Sequence, residues 1–230
     1  VAIDPEGRTV STAGGSAIAY EYLVVAPGIQ LNWQEVKGLK ENLGKNGVTS
    51  NYSFATAPYT FACLKGMREG QVALFTSPST ALKCGGAPQK IMYLAADYFR
   101  RHGLSGKVKV DFSTAGKVIF GIKKYADQLQ KIVDRNHIEM NYRHDLVAID
   151  GEKKLATFKV TDTAGATYEV AKHFDMIHVT PPQSAPDFIR SSPLADANGW
   201  VDVDKFTLQH KKYPNVFGLG DATNTPNAKT

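Results

Sequence analysis

An internal repeat constrains the fold of this chain more than any other sequence feature. VAIDPEGRTVSTAGGSAIAYEYLVVAPG spans residues 1–28, and VAIDGEKKLATFKVTDTAGATYEVAKHFDMIHVTPP spans residues 147–182. Each copy contains β-rich runs separated by Gly-containing turns and ends in a continuous apolar run. Alternation over residues 154–160 predicts a half-buried antiparallel strand, whereas the apolar runs 22–26 and 176–179 predict fully buried strands. The sequence therefore predicts, twice, a three-stranded antiparallel appendage that leads into a buried strand.

The stretch before the second copy alternates between strand and helix patterns. Residues 71–77, 107–113 and 138–142 have strand patterns, the second of them with polar–apolar alternation. Residues 90–101 and 125–135 have apolar side chains at helical spacing. The apolar face predicted for the first helix consists of Ile91, Leu94, Ala95 and Tyr98. This βαβαβ order predicts an α/β fold with one complete doubly wound, Rossmann-like sheet. Because the first copy lacks a βαβαβ half, we interpret the chain as the middle of a longer protein, with parts of a second such domain.

The composition excludes several classes of protein. The chain has 230 residues, of which 43% are hydrophobic and 21% charged, enough for a sizeable core. The net charge of +5 is spread thinly, so nucleic-acid binding is not expected. Two cysteines are too few for a disulfide scaffold or a Cys-rich zinc site, and no metal is predicted. The sequence has no apolar run of about 18 residues and no signal pattern, and it opens with Val1, which predicts a processed or excised piece.

Two short motifs follow predicted strands in the first and last parts of the chain. YPNVFGLGDATN, residues 213–224, places Gly220 and Asp221 at the end of an apolar run. Glycine allows close backbone approach, and a carboxylate at the carboxyl end of a strand can accept a hydrogen bond from a sugar-like hydroxyl. Taken alone, such a pair also fits an ordinary turn. VVAPG places Pro27 and Gly28 at the end of the first buried run.

The loop PSTALKCGGAPQK, residues 78–90, stands where a nicotinamide-binding unit would have its glycine fingerprint. Gly85 and Gly86 alone do not make that fingerprint. The next predicted strand ends in Ser113-Thr114 with Asp111 inside it, so no acid is placed to bind a ribose. We therefore expect the architecture of a dinucleotide-binding unit without NAD(P) binding.

Cys84 is the candidate nucleophile of that loop. It lies between Lys83 and Gly85, shortly before a predicted helix with Lys90 in its first turn. A helix N-terminus and nearby lysines favour a reactive thiolate, although an ordinary buried cysteine is the commoner alternative. Cys63, in TFACLKGM, has apolar neighbours at helical spacing and is predicted to pack in the core.

Six segments occur in a fixed order along the chain: LKCGGAPQKIMYLAADYFR, GIKKYADQLQ, HVTPPQSAPD, GWVDVDKFTLQH, YPNVFGLGDATN and PNAKT. Together they resemble the central portion of the sulfide:quinone oxidoreductase family, in particular the type that includes the mitochondrial enzymes. The Gly-Asp pair by itself resembles the second flavin motif of the wider superfamily of flavoproteins with two dinucleotide-binding domains. VVAPG is similar to the ATG-type motif of that superfamily, with Pro27 in place of its Thr.

The resemblance implies an enzyme that oxidises sulfide to sulfane sulfur and passes electrons through FAD to a membrane quinone. It implies that Cys84 is one of two redox cysteines that carry bridging sulfur. It further implies that Asp221, beside Gly220, binds the FAD ribitol and that Lys229 lies near the pyrimidine edge of the flavin, with Pro27 and Gly28 also at the cofactor. The partner cysteine, the N-terminal FAD fingerprint and a membrane-associating region would all lie outside the chain. We therefore expect the chain alone to hold little or no FAD and to be inactive, and its parent protein to associate peripherally with a bacterial or mitochondrial inner membrane.

These expectations divide the chain into four parts. Residues 1–29 are part of an FAD-binding domain, residues 30–70 a connector, residues 71–185 a second Rossmann-like domain of degenerate NAD type, and residues 186–230 a return to the FAD-binding domain. Three alternatives stay open: a flavoprotein like type II NADH:quinone dehydrogenase or another pyridine nucleotide-disulfide oxidoreductase, a sulfide dehydrogenase that reduces cytochrome c, and a structural domain without activity.

Two further candidates have ordinary structural explanations. His178, in MIHVTPP, lies among apolar residues and fits a hydrogen-bonded core histidine, with a position near the flavin as the alternative. Lys123 and Lys124 open a predicted helix and are interpreted as solvated, with an anion site as the alternative.

Overall fold

The computed structural model describes residues 1–226, which divide into two units. Unit 1 comprises Val1–Leu31, Ala81–Cys84 and the described chain from Gln183 onward, and unit 2 comprises Asn32–Thr80 and Gly85–Pro182. The strands are β1 (Ala2–Asp4), β2 (Thr9–Ser11), β3 (Ala17–Ala19), β4 (Leu23–Val25), β5 (Gln30–Leu31), β6 (Val48–Thr49), β7 (Val72–Ser77), β8 (Lys109–Thr114), β9 (Ile138–Tyr142), β10 (His144–Asp150), β11 (Leu155–Thr161), β12 (Thr167–His173), β13 (Met176–His178), β14 (Gln183–Ser184) and β15 (Val216–Gly218). The α-helices are α1 (Leu39–Asn42), α2 (Ala57–Gly66), α3 (Ala87–Arg101), α4 (Lys123–Arg135) and α5 (Asp187–Arg190).

Unit 2 is built on a parallel five-stranded sheet in the order β6-β13-β7-β8-β9. Helices α3 and α4 connect β7 to β8 and β8 to β9, which is the predicted βαβαβ order. The strand β6 lies in the stretch 30–70 that sequence reasoning treats as a connector, and it pairs with β13 at the edge of this sheet. The doubly wound α/β fold predicted from the sequence is therefore present.

The apolar face predicted for α3 is partly wrong. The residues buried between the helix and the sheet are Met92, Ala95, Ala96 and Phe99, whereas Leu94 is 66% exposed. Tyr98 and Ile91 pack only partly against the core. The helix contains apolar side chains around much of its circumference, so spacing alone does not identify the face that the sheet covers.

The alternation predicted for residues 107–113 holds for burial only as far as Val110, although a strand is present there. Five of the six residues of β8 are buried, because this strand pairs with β7 on one side and β9 on the other. Helix α3 packs against it, and so does β10 of the appendage. A strand covered on both faces has no solvent face and needs no polar alternation.

The predicted appendages occur in both units. In unit 2, β10, β11 and β12 form an antiparallel sheet, and Phe158 on β11 lies opposite Val170 on β12. Residues Ala156, Phe158 and Val160 of β11 are buried, which confirms the alternation predicted over residues 154–160. In unit 1, β1, β2 and β3 form the corresponding antiparallel sheet.

The strands that follow the two appendages differ in burial. All three residues of β13 are buried, as predicted. In β4 only Val25 is buried and Val24 is 59% exposed, so the prediction of full burial for residues 22–26 is wrong. The reason is that, within the described chain, β4 belongs to a two-stranded sheet with β15 and has one covered face. No helix among residues 1–226 is long and apolar enough to cross a lipid bilayer.

Candidate functional site

The carboxyl ends of β4 and β15 form the edge at which the sequence-predicted residues of unit 1 meet. The two strands are parallel, with Gly218 opposite Val25, and the Leu219 N–H donates to the Val25 carbonyl at 3.0 Å. Parallel strands that end together place the residues after them at the same edge of a sheet. Pro27 and Gly28 follow one strand and Gly220 and Asp221 follow the other, so the structure brings these two motifs to one edge.

Asp221 lies in a short 3-10 turn, Gly220–Ala222, directly after β15. Gly220 has a φ of +70°, a conformation that side chains other than glycine rarely adopt. The Asp221 side chain is only 15% exposed, and its Oδ2 lies 3.2 Å from the Nζ of Lys83. The hydroxyl of Thr223 closes the turn by donating to the Gly220 carbonyl at 2.9 Å. The carboxylate is therefore held in a fixed turn and already has one cationic partner.

The Ala81–Cys84 segment of the cysteine loop is part of unit 1. The backbone N–H of Lys83 donates to Oε1 of Gln183 at 2.9 Å, and the Gln183 side chain is buried next to β5. Sequence reasoning missed both partners of Lys83. Lys83 and Gln183 are 100 residues apart, and no local pattern predicts a contact over such a separation.

A cavity of about 430 Å³ adjoins Asp221 within unit 1. Its walls include Ile29, Leu82, Lys83, Trp200 and Asp221. Most of the side chains around the cavity are polar, which suits a ligand that forms several hydrogen bonds. The carboxylate beside Gly220, where no Cβ stands in the way, suits a polyhydroxy chain such as the ribitol of FAD. The residues present therefore fit that part of the cofactor.

Cys84 lies in the bend before α3 and is half-buried. Its φ is +56°, the left-handed region, which is uncommon for a residue other than glycine. Helix α3 begins three residues later with Gly86 as its N-cap, and no side chain caps it. Cys84 does not line the cavity beside Asp221, although its neighbour Lys83 does. The strained conformation marks the loop as one that the surrounding contacts must hold in place.

Cys63 occupies a different environment, on α2 in unit 2. It packs partly against the main core, and burial raises the pKa of its thiol. A hydrogen bond with Tyr59 acts in the opposite direction on this pKa, with a smaller effect. The predicted core packing of Cys63 agrees with this position. Neither cysteine forms a disulfide within the described chain.

His178, at the end of β13, is buried completely. Its Nε2 accepts a hydrogen bond from the Asn51 N–H at 3.0 Å, and its ring stacks on Phe75 with 6.1 Å between centroids. Burial lowers the pKa of His178 to about 3, so the ring is neutral near pH 7. Among the described residues its Nδ1 has no hydrogen-bond partner. These contacts agree with a core histidine and give no proton donor or acceptor to an open cavity.

The acid inside β8 is engaged in a buried network. Asp111 is 3% exposed and its Oδ2 lies 2.9 Å from the Nζ of Lys172. Its Oδ1 accepts hydrogen bonds from Ser113 at 2.9 Å and Asn141 at 3.1 Å. This carboxylate is therefore not available to a ribose, and the absence of NAD(P) binding stays a prediction.

The remaining sequence candidates do not form a site. Lys123 is 86% exposed and pairs with Asp127 one turn later, at 2.8 Å. No cluster of His, Cys, Asp and Glu able to hold a metal ion occurs in the described part of the chain. Lys229 lies outside the described residues, and its predicted role stays a prediction.

Comparison with known proteins identifies relatives along nearly the whole chain. No protein-family model matches it. It is 49% identical to the mitochondrial sulfide:quinone oxidoreductase of Mus musculus over 228 residues, which cover 99% of this chain and 50% of that protein. It is 51% identical to the mitochondrial sulfide:quinone oxidoreductase of Dictyostelium discoideum, over 98% of this chain and 49% of that protein. The chain thus spans about half the length of these curated relatives, and the resemblance predicted from the sequence is confirmed.

Two solved structures share the fold. The sulfide:quinone oxidoreductase of Aquifex aeolicus superposes with a TM-score of 0.79 at 24% identity, over 98% of this chain and 51% of that one. NDH2 of Plasmodium falciparum, in complex with NADH, superposes with a TM-score of 0.64 at 10% identity, over 96% of this chain and 48% of that one. These likenesses confirm the predicted fold class.

Proposed function

We propose that this chain is the central half of a sulfide:quinone oxidoreductase, a flavoprotein that oxidises sulfide to sulfane sulfur and reduces a quinone. The observation that carries the proposal is the identity of about 50% to two such enzymes over almost every residue of the chain. The geometry of unit 1 supports it, because the Gly220-Asp221 turn, the Pro27-Gly28 turn and the start of the cysteine loop belong to the same unit.

Unit 1 supplies part of the FAD site in this proposal. Asp221 accepts hydrogen bonds from ribitol hydroxyls, and Gly220 lets the cofactor approach the backbone closely. Pro27 and Gly28 border the same edge, and Lys229 contributes near the flavin ring. When bound, FAD supplies a two-electron acceptor that can pass its electrons to a quinone. The pyrophosphate site of the cofactor is assigned to a region outside this chain, so the chain alone is expected to hold little FAD.

Cys84 supplies the sulfur chemistry. In the proposed reaction, sulfide attacks a sulfur atom bridged between Cys84 and a second cysteine outside the chain. A new sulfur–sulfur bond forms, the bond to one cysteine breaks, and that cysteine leaves as a thiolate. The contribution of this chain is to present the Cys84 sulfur on a loop of fixed conformation.

The proposal also assigns partners and a location. Sulfide and a quinone are the substrates, and nucleic acid is not a partner. The parent protein is proposed to associate peripherally with a membrane through regions outside this chain. Because the curated relatives are named as mitochondrial enzymes, we propose a mitochondrial location at the inner membrane.

The test compares two cysteine variants of the longer protein that contains this chain. Cys84→Ser should lower the rate of sulfide-dependent quinone reduction by several orders of magnitude, because a serine hydroxyl cannot take part in sulfur–sulfur exchange. Bound FAD, measured by its absorbance, should stay at the level of the unsubstituted protein. Cys63→Ser is the matched control and should retain most of the activity. Near-normal turnover in Cys84→Ser, or absence of any sulfide-dependent reduction in the unsubstituted protein, would overturn the proposal.

A further inference from the structure

The Ala81–Cys84 segment is grouped with unit 1, although Thr80 before it and Gly85 after it are grouped with unit 2. Four residues of irregular backbone make few internal hydrogen bonds, so their position depends on contacts with the rest of unit 1. The residue at the end of the segment, Cys84, has a left-handed backbone conformation that is unfavourable for a side chain other than glycine. Such a conformation persists where neighbouring contacts hold it.

Lys83 makes two polar contacts that hold the segment. Its backbone N–H donates to the buried side chain of Gln183 at 2.9 Å, and its Nζ lies 3.2 Å from Asp221. The two contacts act on the backbone and on the side chain of the same residue, one position before the thiol. The partner groups are themselves fixed, because Gln183 is 2% exposed and the Asp221 side chain lies in a closed turn and is 15% exposed.

We propose that Lys83 is a positioning residue for Cys84, which acts through its ion pair with Asp221. The ion pair holds the loop in the conformation that sets the accessibility of the thiol. Part of this inference rests on the proposed function: if Asp221 also binds the FAD ribitol, one carboxylate serves both the cofactor and the cysteine loop. FAD binding at Asp221 and formation of the Lys83–Asp221 ion pair would then be linked. Each would change the equilibrium constant of the other by the same factor.

The experiment measures the alkylation of both cysteines by iodoacetamide, peptide by peptide, with mass spectrometry. The reagent is uncharged, and each rate is followed from about pH 6 to about pH 9, where lysine stays mostly protonated. A fit to the rise of the rate with pH gives the plateau rate of the thiolate, which reports access separately from ionisation. Asp221→Asn should raise the plateau rate of Cys84 about fivefold, the factor that corresponds to about 1 kcal/mol of lost restraint. Lys83→Met should raise it by a similar factor, and the double variant should show no further rise. Lys83→Arg, which retains the cation, should restore the original rate.

Two controls separate positioning from a general loosening of the structure. Lys211→Met breaks another ion pair of unit 1, with Asp202 at 2.6 Å, in which the lysine is about as exposed as Lys83. It should leave the Cys84 rate unchanged. Cys63, in unit 2, is the internal reference, and its rate should stay constant in all variants. Added salt should raise the Cys84 rate in the unsubstituted chain and have little effect in Asp221→Asn, because salt screens exposed ion pairs.

Three results would overturn the inference: an unchanged Cys84 rate in Asp221→Asn, an equal rise in Lys211→Met, or a parallel rise at Cys63. The assay contains no FAD and no sulfide, so its outcome is independent of the flavin site. Failure of the proposed function would appear instead in the quinone-reduction assay.

Discussion

The two cysteines of this chain differ in their surroundings, and the difference predicts their reactivity. Burial raises the pKa of Cys63, so only a small fraction of it is thiolate near neutral pH. Cys84 is in an irregular loop before α3. We expect iodoacetamide to alkylate Cys84 at least about tenfold faster than Cys63 at neutral pH. Tyr59→Phe removes the hydrogen bond that lowers the Cys63 pKa and should slow Cys63 further, with Cys84 unchanged. Equal rates for the two thiols would contradict this prediction.

Because His178 is buried with a lowered pKa, we expect the protein to lose stability in acid. In the unfolded chain it binds a proton below a pH of about 6.5, whereas burial lowers its folded pKa to about 3. Between these values the unfolded state binds more protons, so the free energy of unfolding falls as the pH falls. From about pH 6.5 to about pH 5 the loss is about 2 kcal/mol. His178→Gln keeps an acceptor for the Asn51 N–H and should reduce this dependence. Urea unfolding of both proteins at several pH values measures this difference. If the free energy of unfolding has the same pH dependence in both proteins, the lowered pKa of His178 is contradicted.

At the scale of elements, the alternation of β11 predicts opposite effects for two adjacent residues. Phe158 is fully buried in the core between the appendage and the parallel sheet, and Lys159 points away from it. Phe158→Ala should lower the free energy of unfolding by about 3 kcal/mol or more, because it removes a buried ring and leaves a cavity. Lys159→Ala should change it by less than about 0.5 kcal/mol. Urea denaturation tests both, and a similar cost for the two variants would contradict the register of this sheet.

The sequence allowed the elements to be predicted better than the faces they bury. The sequence predicts a strand over residues 138–142, and these residues form β9, because β-rich runs bounded by turns are a local signal. The buried face of α3 differs from the prediction, since Met92 and Phe99 are distinguished from Leu94 by the sheet they contact and not by their hydrophobicity. The two-residue strand β6 gave no signal at all, because its conformation depends on pairing with β13.

The candidate site shows the same limit at the scale of the whole molecule. The sequence indicates three candidate site residues, Cys84, Gly220 and Asp221, because the motifs around them resemble motifs of flavoprotein families. Lys83 could not be connected with Asp221, since the two residues come from distant parts of the chain and only the completed fold of unit 1 brings them together. Sequence motifs therefore indicate the candidate residues, whereas the contact between Lys83 and Asp221 is visible only in the structure.

This chain shares its fold with NDH2 of Plasmodium falciparum, which was solved in complex with NADH, yet its own sequence lacks the features that hold a dinucleotide. The loop between β7 and α3 has only Gly85 and Gly86 in place of a full glycine fingerprint. The acid of β8, Asp111, is buried against Lys172, 2.9 Å away, and is not available to a ribose. A shared fold does not preserve a binding site whose contacting residues are replaced. We therefore expect calorimetric titration with NADH or NADPH to show no measurable binding, with an NADH-binding flavoprotein titrated beside it as the positive control. Micromolar affinity would contradict this expectation and would favour the NADH dehydrogenase alternative over the proposed function.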